Sequence, residues 1–192
     1  MVILAHIAGP TGSGKTTLGK KIKKKFPDII VQDLDDIYQN LPLLYPKEYK
    51  KVQDNKIKRK KFYQKYIKRG YNKFLKKFKN SNIIFVGTNA TSIKDDFSDQ
   101  VYYDIDSKYK YFIDIDQDII LRRRFNRHIK FMLDNLDIYY NKAIKKGKLI
   151  IDIELWKKKI NASYLDNYYK NKKYKFLSND LIFKDIIKLI SY

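Results

Sequence analysis

The sequence predicts an α/β fold built on a parallel sheet with helices on both faces. Three observations predict it. Short runs at Val2–Ala8, 29–32, Asn82–Val86, 109–115 and 174–177 read as strands, and Val2–Ala8 has the largely β-branched and aliphatic character of one buried on both faces. Between them lie stretches whose apolar residues recur at three- and four-residue spacing, the period of amphipathic helices. The first two runs end on a glycine-rich loop and on a group of aspartates, and open α/β sheets bind ligands at the carboxyl ends of their strands.

Strand one, Val2–Ala8, leads into Gly9-Pro10-Thr11-Gly12-Ser13-Gly14-Lys15-Thr16. These eight residues satisfy G-x-x-x-x-G-K-[ST], the phosphate-binding P-loop, in its required context of a strand before and a helix after. The glycines let the backbone turn and approach an anion, so that successive N–H groups converge on a phosphate. The helix opening at Gly14 adds the partial positive charge of its N-terminus. This reading assigns Gly9, Thr11, Gly12, Ser13, Gly14, Lys15, Thr16 and Thr17 to nucleotide binding. Lys15 reaches the β- and γ-phosphates and the Thr16 hydroxyl sits on Mg²⁺. Residues 17–26 form the helix, with Leu18, Ile22 and Phe26 facing the sheet, and Pro27-Asp28 stops it.

The second strand, 29–32, runs into Asp33-Leu34-Asp35-Asp36. Asp33 is expected to hold Mg²⁺ through water and Asp35 to accept a hydroxyl proton or orient the acceptor, with Asp36 in a capping role. Pro42 and Pro46 bracket a short loop. Residues 47–80 then read as one long helical stretch with an inward stripe of Phe62, Tyr63, Tyr66, Ile67, Tyr71, Phe74, Leu75 and Phe78, bent at Gly70. It holds 15 Lys/Arg against two acids. The third strand, Asn82–Val86, ends at Gly87-Thr88-Asn89, where Thr88 and Asn89 are placed to line an acceptor pocket.

The fourth strand, 109–115, ends at Asp114, a second-choice Mg²⁺ ligand. Asp116 or Asp118 caps the next helix, whose Phe125, Ile129, Met132/Leu133 and Leu136 are expected to be buried. On it lies Arg122-Arg123-Arg124-Phe125-Asn126-Arg127. Lys outnumbers Arg 36 to 6 in this chain, yet four arginines fall within six residues. Coding bias toward Lys does not explain that clustering. The guanidinium is a rigid, permanently charged fork that grips phosphate oxygens in two-pronged fashion, so Arg123, Arg124 and Arg127 are candidates to clamp a transferring phosphoryl group. His6 and His128 are isolated and read as structural. Residues 134–171 read as further helices around Gly147, extended at 150–153, with Trp156 and Ile160 on an apolar face. The fifth strand is 174–177. Ser178-Asn179-Asp180 caps a last helix with Leu181, Ile182, Ile186 and Leu189/Ile190 packed on the sheet.

Composition narrows the partners. The chain has 192 residues and no cysteine, which excludes a disulfide scaffold, a thiolate metal site and a cysteine nucleophile. Its apolar runs are too short for a signal peptide or membrane span, so one cytoplasmic domain over 1–192 without membrane association is expected, as a monomer or homodimer. The net charge of +21 admits two readings, a nucleic-acid partner at the basic 47–79 helix or AT-rich coding bias on solvated faces.

The order of these motifs resembles the small P-loop kinases of the nucleoside and nucleotide kinase superfamily. The arginine run is similar to the lid of uridine-kinase-like members, and Asp33-Leu34-Asp35-Asp36 to the acid pair of shikimate- and gluconate-kinase-like members. The resemblance implies a three-layer P-loop NTPase fold with strand order 2-3-1-4-5, ATP and Mg²⁺ as cosubstrates, and a helical lid within 122–170. It gives Lys15, Asp33, Asp35, Arg123, Arg124 and Arg127 catalytic roles. The Asp that usually follows the uridine-kinase arginine run is His128 here. The implied activity is transfer of a phosphoryl group from ATP to a small metabolite, foremost a nucleoside or nucleotide. A polynucleotide 5′-hydroxyl kinase, or a nucleotide-gated nucleic-acid-binding protein, stays open as the alternative.

Overall fold

The computed structural model describes residues 2–91, 100–137, 153–164 and 167–191. Five parallel strands form the main sheet in the order β2 (Ile30–Asp33), β3 (Asn82–Val86), β1 (Val2–Ala8), β6 (Tyr109–Ile113) and β7 (Lys175–Leu177). Alternation along the strands feeds two cores. Ile83 and Phe85 face one side, against Ile37 of α2 (Leu34–Gln39), Leu41 of α3 (Leu41–Leu44) and the inward stripe of α5 (Lys56–Lys77). Ile84 and Val86 face the other, with Leu18 and Ile22 of α1 (Lys15–Lys25) and Ile182 and Ile186 of α9 (Asn179–Ile190). A third cluster joins Ala8, Phe112, Tyr174 and Tyr169 of α8 (Asn167–Asn171).

Several expectations are corrected here. The segment between Pro42 and Pro46 is not a loop: Pro42 lies in the first turn of α3 and Pro46 opens α4 (Pro46–Lys50), both positions where the missing N–H costs nothing. The expected single helix over 47–80 is two, because the chain turns at 51–54 and restarts where Asn55 caps α5 by accepting from the Lys58 N–H at 2.9 Å. Gly70 lies inside α5, where a Cβ would stand 2.5 Å from Leu41 Cδ2. Its role is close approach of α3 and not a break in the helix. A short antiparallel pair, β4 (Ala90–Thr91) and β5 (Val101–Tyr102), sits outside the main sheet. Two residues are too few for a periodicity to announce them.

The largest correction concerns α6 (Gln117–Asp134). Of the two candidates Asp116 caps it, accepting from the N–H of the other, Asp118, at 2.7 Å. Its anticipated buried face is not buried: Phe125 is 40% and Leu133 64% exposed, with Leu136 beyond the helix 58% exposed. Only Ile120, in the second turn, is fully covered. On α9, Ser178 caps as expected, but Leu181 is 48% exposed while Ile182 and Ile186 are buried. The segment expected to be extended at 150–153 lies, but for Ile153, outside the described residues, as does Gly147; Ile153 opens α7 (Ile153–Tyr164). Among the described residues, no helix is long and apolar enough to cross a membrane.

Candidate functional site

Because the strands are parallel, their carboxyl ends share one edge of the sheet. That edge carries the loop after β1, Asp33–Asp35 after β2, Gly87–Asn89 after β3, Asp114 after β6 and Asn179 after β7. Residues far apart in sequence are thereby collected at one place.

The loop turns through Gly12 (φ 96°) and Gly14 (φ 99°), left-handed conformations that an L side chain resists. Space adds a second constraint at Gly12, where a Cβ would lie 3.2 Å from both Arg124 Cγ and Ile120 Cγ2. Gly14 caps α1 without a side-chain acceptor, so the first N–H groups of that helix are directed at the loop and free of intrahelical bonds. Lys15 Nζ donates to Gly9 O at 2.8 Å and to Pro10 O at 2.9 Å, which folds the ammonium back over the loop. Burial lowers its pKa to about 8, opposed by the negative charges of Asp35 and Asp33 and aided by Arg127 and Arg124. Thr88 ties the third strand's end to the same loop, its hydroxyl donating to Gly9 O at 3.3 Å.

Thr16 and Asp33 meet across two strands. The Thr16 hydroxyl donates to Asp33 Oδ2 at 3.0 Å, and Asp33 Oδ1 accepts from the Asp35 N–H at 3.0 Å. Asp33 therefore caps α2 with one oxygen and offers the other to the loop. A hydroxyl beside a carboxylate is a donor set that suits a hard divalent cation such as Mg²⁺. Burial, and next the charge of Asp33, push the Asp35 carboxyl above its ordinary range. Asp36 is shifted the same way by the same two causes, and its Oδ2 accepts from Gln32 Nε2 at 3.4 Å.

The arginines divide. Arg123 donates to Gly12 O at 3.4 Å and, with Arg127 and Asn126, lines a cavity of about 490 Å³ whose other walls include Gly14, Thr17, Lys21 and Asn179. Arg124 turns toward α7, donating to Trp156 O at 3.5 Å with its guanidinium 5.7 Å from the indole centroid. Burial holds its pKa below the usual arginine value, and Arg127 adds to the effect. Asp114 follows β6, its N–H donating to Leu177 O at 2.9 Å.

Asn179 is the residue that sequence reasoning passed over as part of a helix cap. Its Nδ2 donates to Ser13 O at 2.9 Å, while its Oδ1 and Ser13 Oγ are buried without a hydrogen-bond partner among the described residues. The available signal was its position two residues after the strand that ends at Leu177. Asn89 moves the other way. Fully buried, it donates to Tyr103 O at 2.8 Å and to Tyr168 Oη at 3.0 Å and accepts from Tyr169 Oη at 3.1 Å. Its amide serves the scaffold and does not line an acceptor pocket. His6 is also structural, since the Tyr174 hydroxyl lies 2.6 Å from Nδ1 and Gly87 O 3.0 Å from Nε2. Burial lowers its pKa to about 4, so the ring is neutral at neutral pH, donates from Nε2 and accepts at Nδ1.

No family model matches the chain, and no curated protein matches it. Among solved structures it is similar to an uncharacterized protein from Eubacterium ventriosum ATCC 27560. The two are 18% identical over 100% of this chain and 99% of that chain, with a TM-score of 0.40.

Proposed function

We propose that the chain is an ATP- and Mg²⁺-dependent phosphotransferase of the P-loop NTPase fold, acting on a hydroxyl or phosphate of a small metabolite, foremost a nucleoside or nucleotide. The observation that carries this reading is the contact between Thr16 and Asp33, beside a three-glycine loop and Lys15. A bare strand-to-helix turn has no use for a hydroxyl in contact with a carboxylate and, on the same loop, a desolvated ammonium that feels the charges of Asp33 and Asp35. The strand order, with the loop following the central strand, supports the same reading.

In this mechanism the loop N–H groups and Lys15 grip the donor phosphates, which draws Lys15 Nζ off the carbonyls of Gly9 and Pro10. Thr16 and Asp33 hold Mg²⁺, which neutralises developing negative charge when bound. Asp35 aligns the acceptor and takes its proton, a role served by a carboxyl whose pKa burial has raised. Arg123 and Arg127, which line the cavity beside Gly12, Gly14 and Thr17 while Lys15, Thr16, Asp33 and Asp35 do not line it, reach the phosphoryl group by moving toward the loop.

The test is ADP release from ATP in the presence of nucleosides, nucleoside monophosphates, sugar acids and 5′-hydroxyl oligonucleotides in turn. One class should stimulate release in a Mg²⁺-dependent manner, and Lys15→Ala should lower that stimulated release by about 10³-fold. Tight ATP binding with no acceptor-stimulated release across the panel would refute phosphotransfer.

A further inference from the structure

Among the described residues, a strongly basic surface lies outside the loop site. Helix α5 carries eleven Lys and Arg and no acid in 22 residues. One side of it is spent on the core, where Phe62, Tyr66, Ile67, Gly70 and Tyr71 are buried. The opposite side presents a continuous stripe of Lys58, Lys61, Lys65, Lys68, Arg69 and Lys76, all exposed. At ~1.5 Å per residue the stripe runs ~27 Å along the helix, the length occupied by roughly eight nucleotides of one duplex strand at ~3.4 Å each.

We propose that the exposed ridge of α5 is a sequence-independent binding surface for the phosphodiester backbone of a nucleic acid. Charge complementarity along a line names the polyanion, and the aromatic residues say how it is read. Tyr63 stacks on Tyr38 with ring centroids 4.1 Å apart, and Tyr66 packs against Tyr45 at 4.6 Å and Phe62 at 4.8 Å. The rings are committed to the core, so the ridge offers no platform on which bases stack, and recognition stops at the phosphates. A lipid surface fits less well. Helices that lie on membranes insert an apolar face, whereas the apolar face of α5 is under α2, α3 and α4, and Ile57 is its one strongly exposed large aliphatic residue.

The proposal is independent of the phosphotransfer reading and is tested without ATP. Anisotropy of a labelled mixed-sequence oligonucleotide of about 20 nucleotides, titrated with the full chain between about 50 and 200 mM salt, gives the number of phosphates engaged. With about five cations in contact, log affinity should fall against log salt with a slope of about −4.5 for duplex and about −3.5 for single strand. The triple variant Lys61→Glu, Lys65→Glu, Lys68→Glu should reduce the magnitude of the slope by about three and weaken binding more than about tenfold. Lys20→Glu, Lys24→Glu, Lys25→Glu makes the same change in net charge on the exposed face of α1 and should leave the slope unaltered. Equal weakening by both triples overturns the proposal, because net charge alone would then account for binding. So does a flat salt dependence, or capture by phosphatidylserine vesicles without oligonucleotide binding. If the first triple fails to fold, Lys65→Glu alone should still reduce the magnitude of the slope by about one.

Discussion

Around the loop after β1 most polar contacts are short, Lys15 to two carbonyls at 2.8 and 2.9 Å, Thr16 to Asp33 at 3.0 Å and Asn179 to Ser13 O at 2.9 Å, with Thr88 to Gly9 O longer at 3.3 Å. Across the cavity on α6 the arginine contacts are long, 3.4 Å from Arg123 to Gly12 O and 3.5 Å from Arg124 to Trp156 O. The first region is fixed by strand ends and a capped helix. The second hangs on one buried residue, Ile120, with Phe125, Phe131 and Leu133 all exposed by 40% or more. In the proposed enzyme the frame of the loop is built before the nucleotide arrives, Lys15 has to leave its two carbonyls, and the arginine wall completes itself on binding. Interactions made mainly in the transition state raise kcat, while those made equally in the ground state lower KM.

The largest expected effect falls on the fixed side. Lys15→Ala should lower kcat/KM by about 10³-fold, since in the proposed mechanism the Lys15 ammonium has no substitute among the loop N–H groups. Retained activity would place the chemistry elsewhere and dissolve the contrast between the two walls.

Next comes the residue that pins the fixed side from beneath. His6 bridges β1 to Gly87 O after β3 and to Tyr174 before β7. Its folded pKa of about 4 lies below its ordinary value. Above about pH 6.5 both folded and unfolded chains hold it neutral, and the full stability is present. As pH falls from there to about 4 the unfolded chain takes up the proton and the folded chain does not, costing about 3 kcal/mol in all. Urea unfolding at neutral pH and near pH 5 should show about 2 kcal/mol of this loss, and His6→Gln should flatten the difference. An unchanged slope in the variant would mean that the ring titrates normally in the folded chain.

Asp33 and Arg123 separate the two walls directly. Asp33→Ala removes both a Thr16 partner and the α2 cap, so kcat should drop about 10²-fold and stability by about 1 kcal/mol. Arg123→Ala should lower kcat about tenfold, with little change in KM or melting temperature, because its ground-state contact is long and exposed. If Arg123→Ala destabilised the fold as much as Asp33→Ala, α6 would be anchored as firmly as the loop.

How much was legible in the sequence follows the same division. The strands at 2–8 and 82–86, the loop, and the caps at Asp116 and Ser178 are written in local chemistry, such as β-branched runs, a fixed glycine spacing and an oxygen before a helix. The inward stripe of α5 was legible because α2 to α4 cover it. The same period on α6 misled, since periodicity states that a helix has an apolar side and says nothing about what lies opposite. Asn179 and Asn89 were misassigned for a related reason. A short polar residue after a strand caps, contacts a ligand or braces the scaffold according to neighbours 80 to 166 positions away, and no local pattern carries that information.

The smallest expected effect bears on that misleading stripe. Leu133 is 64% exposed, so Leu133→Ser should change stability by no more than about 0.5 kcal/mol, as surface substitutions do. Phe62→Ala, on the matching stripe of α5, should cost about 3–5 kcal/mol because that ring is 5% exposed and packs against Tyr49, Tyr63 and Tyr66. Chemical unfolding of both variants puts one periodicity under two degrees of burial. A cost above about 1 kcal/mol for Leu133→Ser would mean that the α6 face is covered in solution. If that cost grew with protein concentration, a second copy of the chain would be the cover, and the arginine wall would be held as rigidly as the loop it faces.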